Sequence, residues 1–130
     1  MLTYDNYLEI TDSLTFQEAI EIHSKILQYA KTKDEDFQEL LEDVVKAANN
    51  YANARANWSV QTNEEKRSVD EARTLRHNDF MATLNILSRY MKNQGWNSEW
   101  INELGTIEND RKRFGDFACY MVCINSLNAR

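Results

Sequence analysis

Residues 62–95 form the longest uninterrupted pattern in the chain, TNEEKRSVDEARTLRHNDFMATLNILSRYMKNQG. Thr62 and Glu65 have the spacing of a capping box, in which a hydroxyl and a carboxylate satisfy two orphan backbone N–H groups. Neither proline nor glycine follows until Gly95, a natural stop for a helix. The pattern therefore predicts one long helix that ends near residue 93. Its predicted inward stripe consists of Val69, Ala72, Arg76, Phe80, Leu84, Leu87 and Met91.

The rest of the chain is equally poor in residues that break a helix. It contains no proline, and its three glycines are Gly95, Gly105 and Gly115, which leaves little material for the turns of a sheet. Further helices are predicted from the capping box at residues 15–18, from the acidic residues 34–36, over 97–104, and from 106 or 107 to near 127. We predict an all-α fold, an up-and-down antiparallel bundle of four main helices plus a short helix, with a buried C-terminal helix.

Composition indicates one soluble domain over residues 1–130. Hydrophobic residues make up 42% and charged residues 28% of the chain, which is typical of a globular protein rather than a disordered segment. A net charge of −6 argues against a general nucleic-acid or anionic-membrane binder. The longest apolar run, 117–124, is too short to span a bilayer. Since residues 1–10 lack the basic start of a signal peptide, we expect a cytoplasmic protein without a membrane partner.

Motifs for metal binding and catalysis are missing from the sequence. The residues three before His23 and His77 are Ile20 and Thr74, so no Glu-x-x-His pair exists, and no histidine lies near the two cysteines. Three isolated glycines cannot build a nucleotide-binding loop. We therefore expect no metal and no cofactor, and the leading hypothesis is a non-enzymatic interaction or regulatory protein that binds a protein partner or self-associates. At the level of fold alone, such a small acidic bundle resembles bacterial immunity and regulatory proteins.

Two charged residues fall on predicted core-facing lines, where an unpaired charge would be costly. Arg76 lies between Ala72 and Phe80, and Asp110 lies on the line of Phe114. The simpler interpretation is an interhelical salt-bridge network that fixes the register of the helices. The alternative is a small pocket for an anionic ligand, whose hydrolytic version would use His77 as general base and the arginines to hold the anion. A third interpretation is that the stripe is rotated, so that these charged groups are solvated. The candidate ligand-binding residues are Arg76, His77, Asp79, Asp110, Arg113 and Asp116.

A third hypothesis concerns DNA. Residues 99–114 have the layout of a helix-turn-helix, with Arg111, Lys112 and Arg113 near the start of the second helix. The acidic charge of the whole chain and the predicted burial of the last helix count against it, so nucleic acid is not a favoured partner. Three tryptophans are candidate exposed anchors for a protein partner, and they are Trp58, Trp96 and Trp100.

Overall fold

A computed structural model of the protein describes residues 4–8, 11–97, 99–107 and 109–128. Within these ranges the chain forms helices and no strand, so the all-α prediction is confirmed. The helices are α1 (Tyr4–Leu8), α2 (Phe16–Ala30), α3 (Glu35–Ser59), α4 (Asn63–Asn93), α5 (Glu99–Leu104) and α6 (Arg111–Asn128). None of these helices is both long enough and apolar enough to cross a membrane.

The long helices pack around α3, which makes its most extensive contacts with α4 and then with α6. Helix α2 lies against α6 and the short α5, and α1 lies against α3 and α6. The four main helices of the predicted bundle are thus α2, α3, α4 and α6. Residues 114–121 of α6 are all buried, which confirms the prediction of a buried C-terminal helix.

Local capping fixes the ends of the helices as the sequence predicts. Both capping boxes form; the Glu18 backbone N donates to Thr15 Oγ1 at 3.1 Å, and the Thr15 backbone N donates to Glu18 Oε1 at 2.9 Å. At the other end of α4, Gly95 has a φ of 74° and the Trp96 N–H donates to the Met91 carbonyl at 3.0 Å. This is the hydrogen bond of a Schellman motif, which terminates the helix.

The start of α6 differs from the prediction. Helix α6 begins at Arg111 rather than at residue 106 or 107, because Thr106 and Asp110 close a turn of their own. The Asp110 N–H donates to the Thr106 carbonyl at 2.9 Å, and the Thr106 N–H donates to Asp110 Oδ2 at 2.8 Å. Helix α5 spans Glu99–Leu104 and ends where the sequence predicts.

None of the three tryptophans is an exposed residue, so the prediction of exposed anchors is wrong. Trp100 is buried in the core, and Trp96 is half-buried and packs edge-on against Phe37 and Tyr90. Trp58 is half-exposed, and the cationic groups of Lys66 and Arg73 each lie 4.4 Å from the centre of its ring.

Replacing Gly95 tests the Schellman motif. We expect Gly95→Ala to lower the free energy of unfolding by about 1 kcal/mol, because an L-residue with a Cβ is strained at positive φ. Nothing lies within 4 Å of an added Cβ, so the loss would come from the backbone alone. Gly95→Asn is the matched control and should lose less, since asparagine tolerates this conformation better. Urea unfolding measures both; an alanine variant as stable as the unchanged protein would contradict the assignment.

Candidate functional site

Arg76 and Asp79 lie on the outer face of α4, which corrects the prediction that Arg76 faces the core. Their side chains are 54% and 62% exposed and form a pair with Nη1 and Oδ2 3.4 Å apart. The reason is helical phase. Stepping back from Met91 by 3.6 residues per turn passes near residues 87, 84, 80, 77, 73 and 69. In this part of α4, residues 72–77, His77 and Arg73 therefore face inward, whereas Arg76 and Ala72 do not.

Asp110 does not meet Arg76 either. Its carboxylate belongs to the turn before α6, where it accepts from the backbone N and, at 3.4 Å, from the hydroxyl of Thr106. It also fills the space above Gly105, whose φ of 109° excludes most side chains. Whether these two charges face each other was left open by the sequence, and among the described residues Arg76 pairs with Asp79 instead.

Arg113 forms hydrogen bonds to backbone carbonyls and so has a structural role. Its guanidinium donates to the carbonyl of Leu104 through Nε at 3.1 Å, to that of Glu103 through Nη2 at 3.1 Å, and to that of Ser13. These bonds attach α6 to the end of α5 and to the segment before α2. They also satisfy the carboxyl-terminal carbonyls of α5, which have no partner inside the helix.

Asp116 is the buried member of an ion-pair network. The Asp116 side chain has no exposed surface, and that of Arg55 is 4% exposed. Arg55 Nη2 lies 2.8 Å from Asp116 Oδ1, so the two groups form an ion pair, although the atoms are not aligned for a hydrogen bond. Oδ2 accepts from the Ser13 N–H at 3.1 Å, from the Ser13 hydroxyl and from Lys112 Nζ at 3.0 Å. This is an interhelical network of the kind that the simpler interpretation describes, with Arg55 in place of Arg76.

Arg55 was not predicted as a site residue, although its spacing in the sequence was informative. Val44, Ala48 and Tyr51 of α3 are buried at steps of four and three residues, and four residues further on lies position 55. The guanidinium also donates through Nη1 to the sulfur of Cys119 at 3.7 Å. Burial raises the pKa of the Cys119 thiol to about 11, so this thiol is protonated at neutral pH and is not a nucleophile.

Of the six predicted site residues, His77 alone lines the surface cavity at the meeting of α3, α4 and α6. This cavity has a volume of about 240 Å³ and lies where α3, α4 and the first turn of α6 meet. Its lining residues are Tyr51, Arg73, Thr74, His77 and Arg111. We call these five residues the Arg111 pocket.

His77 and Arg111 hold each other through both nitrogens of the imidazole ring. Nε2 lies 3.2 Å from the Arg111 carbonyl oxygen, and Nδ1 lies 3.0 Å from Arg111 Nη2. A carbonyl only accepts and a guanidinium only donates, so these contacts fit a neutral ring with its hydrogen on Nε2. Burial lowers the pKa of His77, and the charges of Arg111, Arg55 and Arg73 lower it further.

Arg73 and Tyr51, which also line the Arg111 pocket, are held in place by further contacts. Arg73 donates from Nε and Nη2 to Asp70 Oδ1, at 3.2 and 2.6 Å, while it stacks on Trp58. The Tyr51 ring meets the His77 ring edge-on, with 4.8 Å between their centres. A Cβ at Gly115 would lie 3.0 Å from the Tyr51 hydroxyl and 3.3 Å from His77 Nε2. Glycine at this position therefore lets α6 approach both rings.

The pocket is cationic in an acidic protein. Two guanidinium groups reach it from different helices; Asp70 neutralises that of Arg73, and among the described residues Arg111 has no carboxylate partner. The described residues contain no cluster of three or more histidine, cysteine or acidic side chains that could hold a metal ion. The chemistry available is the binding of an anion by guanidinium and hydroxyl donors.

No family model matches the chain, and neither a curated protein nor a solved structure is similar to it. Function is therefore inferred from the chemistry of the site.

The basic residues of the helix-turn-helix hypothesis are engaged within the protein. Arg111 donates to Asn78 Oδ1 at 2.8 Å and to His77, Lys112 bridges Asp12 and Asp116, and Arg113 holds backbone carbonyls. Lys112 and Arg113 are thus held by carboxylates and carbonyls, which leaves Arg111 alone without a carboxylate partner among the described residues. DNA binding requires several phosphate contacts at once, so the arrangement does not favour DNA as a partner.

The buried ion pair can be tested by removing its charges singly and together. Asp116→Leu leaves Arg55 buried without its partner, and we expect it to cost about 3–5 kcal/mol of unfolding free energy. The double variant Arg55→Met with Asp116→Leu removes both charges and should lose clearly less. Urea unfolding of the two variants decides the question; equal losses would contradict a paired role.

Acid should destabilise the protein through its histidines. Burial lowers the pKa values of both His23 and His77 below their ordinary 6.5, so below about pH 6.5 the unfolded chain binds more protons than the folded protein. The free energy of unfolding should therefore fall as the pH drops from about 7.5 to about 5.5. Urea unfolding across this range measures the slope, which should shrink in His77→Gln. A slope unchanged by that substitution would contradict the neutral state of His77.

Proposed function

We propose that this protein is a small, cytoplasmic, non-enzymatic regulatory protein whose Arg111 pocket binds a small anion. The observation that carries the proposal is that two arginines, Arg73 from α4 and Arg111 from α6, line one cavity together with Tyr51 and Thr74. Hydrogen bonds from charged donors to an anion are about twice as strong as neutral ones. An arginine without a carboxylate partner among the described residues is the natural ligand of such an anion.

A hydrolytic role finds less support. A general base needs a lone pair within reach of the proton that it abstracts. In His77, Nε2 faces a carbonyl and the lone pair of Nδ1 accepts from Arg111. We therefore favour binding over catalysis at this pocket.

The pocket is placed so that a ligand could influence the whole bundle. Its lining residues come from three helices, and Arg111 is the first residue of the buried helix α6. An anion that attracts the Arg111 guanidinium would act on the contact between α4 and α6. This coupling supports a regulatory role rather than simple storage of the ligand.

A second candidate function is the binding of a protein partner, and one observation favours it. Leu75 and Ile86 are 56% and 51% exposed on α4. They are eleven residues apart, close to three helical turns, and so lie on the same side of the helix. At a rise of 1.5 Å per residue the two side chains are about 16 Å apart and form no continuous apolar patch, so we rank this candidate below anion binding.

Anion binding can be tested with two arginine variants. We expect millimolar oxyanions to raise the midpoint of thermal unfolding at constant ionic strength, because a ligand that binds only the folded state stabilises it. Arg111→Met should weaken binding about tenfold or more, since a hydrogen bond to a charged group contributes about 1.5–3 kcal/mol. Arg76→Met is the matched control, because Arg76 pairs with Asp79 on the outer face of the same bundle.

The control also separates site binding from the general effect of salts on protein stability. A thermal shift that is the same in Arg111→Met and in Arg76→Met would contradict the proposed site. A complete lack of response to carboxylates, sulfonates and sulfate would contradict the function.

A further inference from the structure

The charges of the Arg111 pocket balance a monoanion but not a dianion. Asp70 accepts two hydrogen bonds from Arg73 and neutralises it, and the two contacts of the His77 ring fit its neutral form. One net positive charge remains, that of Arg111. Arg111 is an exposed residue, so water screens part of a ligand's charge, but a doubly charged ligand still attracts one more positive charge to the pocket.

We propose that the pocket takes up a tetrahedral dianion, the terminal group of a phosphate monoester, together with one proton that His77 accepts at Nδ1. This inference rests on the proposed function and specifies its ligand. The proton comes from the solvent, and no covalent bond of the ligand changes. The cavity of about 240 Å³ exceeds a bare tetrahedral anion, so the small organic part of an ester can also enter.

The geometry supplies a route for this exchange. The lone pair of Nδ1 accepts from Arg111 Nη2, which also donates to Asn78 Oδ1. A dianion attracts the guanidinium away from Nδ1, and the freed lone pair takes a proton. The new Nδ1–H group then donates toward the ligand beside Arg111. Throughout, the bond from Nε2 to the Arg111 carbonyl keeps the ring in place.

The groups that face His77 explain why the proton arrives only with the ligand. From α3 it faces Arg55 and the hydroxyl of Tyr51, which burial keeps protonated by raising its pKa. From its own helix it faces Arg73, and from α6 it faces Arg111 and the backbone at Gly115. The three arginines oppose protonation of His77, although Asp116 and Asp70 offset part of the charge of Arg55 and Arg73. A dianion reverses the sign of the local field, so binding and proton uptake are linked.

The experiment uses sulfate and methanesulfonate, two tetrahedral anions of similar size with charges of −2 and −1. Neither titrates near neutral pH, so any proton taken up on binding goes to the protein. Isothermal titration calorimetry near pH 7.5, in two buffers with different ionisation enthalpies, measures the number of protons exchanged. We expect uptake approaching one proton per sulfate and much less for methanesulfonate. The affinity for sulfate should fall by up to about tenfold for each pH unit above the pKa of His77.

His77→Gln is the decisive variant. The glutamine amide can donate to the Arg111 carbonyl but cannot be protonated, so sulfate should bind about tenfold or more weakly and without proton uptake. Binding of methanesulfonate should change much less. His23→Gln is the control, since His23 contacts Asn125 at a different place in the bundle, and it should leave proton uptake unchanged.

The outcomes separate this inference from the proposed function. Sulfate binding without proton uptake, or uptake that persists in His77→Gln, overturns the inference and leaves anion binding intact. If the protein binds methanesulfonate but not sulfate, the inference is likewise overturned and anion binding is left intact. If the protein binds neither of these anions nor a monocarboxylate, both the proposed function and the inference are contradicted.

Discussion

The rest of the structure depends on the ion pair between Arg55 and Asp116 in the contact of α3 with α6. Asp116 has no exposed surface, and it joins Arg55 to Lys112 and to both the backbone and the side chain of Ser13. A buried pair of this kind adds little net stability, because desolvation offsets the attraction, but breaking it is costly. It therefore fixes the register of α6 against α3. Gly115 precedes Asp116, so the same register sets the approach of α6 to the Arg111 pocket.

The sequence predicted the features of the fold that arise from local contacts. The capping boxes at Thr15 and Thr62 and the stop at Gly95 depend on residues within one turn of each other, and all three form. Burial of α6 follows from its apolar residues, which surround the helix. The start of α6 was predicted four or five residues too early, because the turn closed by Asp110 competes with the helix for the same backbone groups.

The site was harder to predict, for two physical reasons. A stripe traced by steps of three and four residues gains a phase error along a helix of 31 residues, which placed Arg76 rather than His77 on the inner side. Arg55 continues an apolar stripe but is charged, so a search for apolar periodicity passed over it. The contact between His77 and Arg111 joins residues 34 positions apart, and no periodic pattern encodes such a contact.

The central claim is that the Arg111 pocket is where an anion binds. The most direct measurement is a titration of the ¹⁵N-labelled protein with sulfate, followed by the chemical shifts of its backbone amides and imidazole nitrogens. We expect the largest saturable changes at His77, Arg73 and Arg111, with the shift of His77 Nδ1 moving toward that of a protonated ring. Changes centred on other basic residues such as Lys25, or small changes spread evenly over the surface, would contradict it.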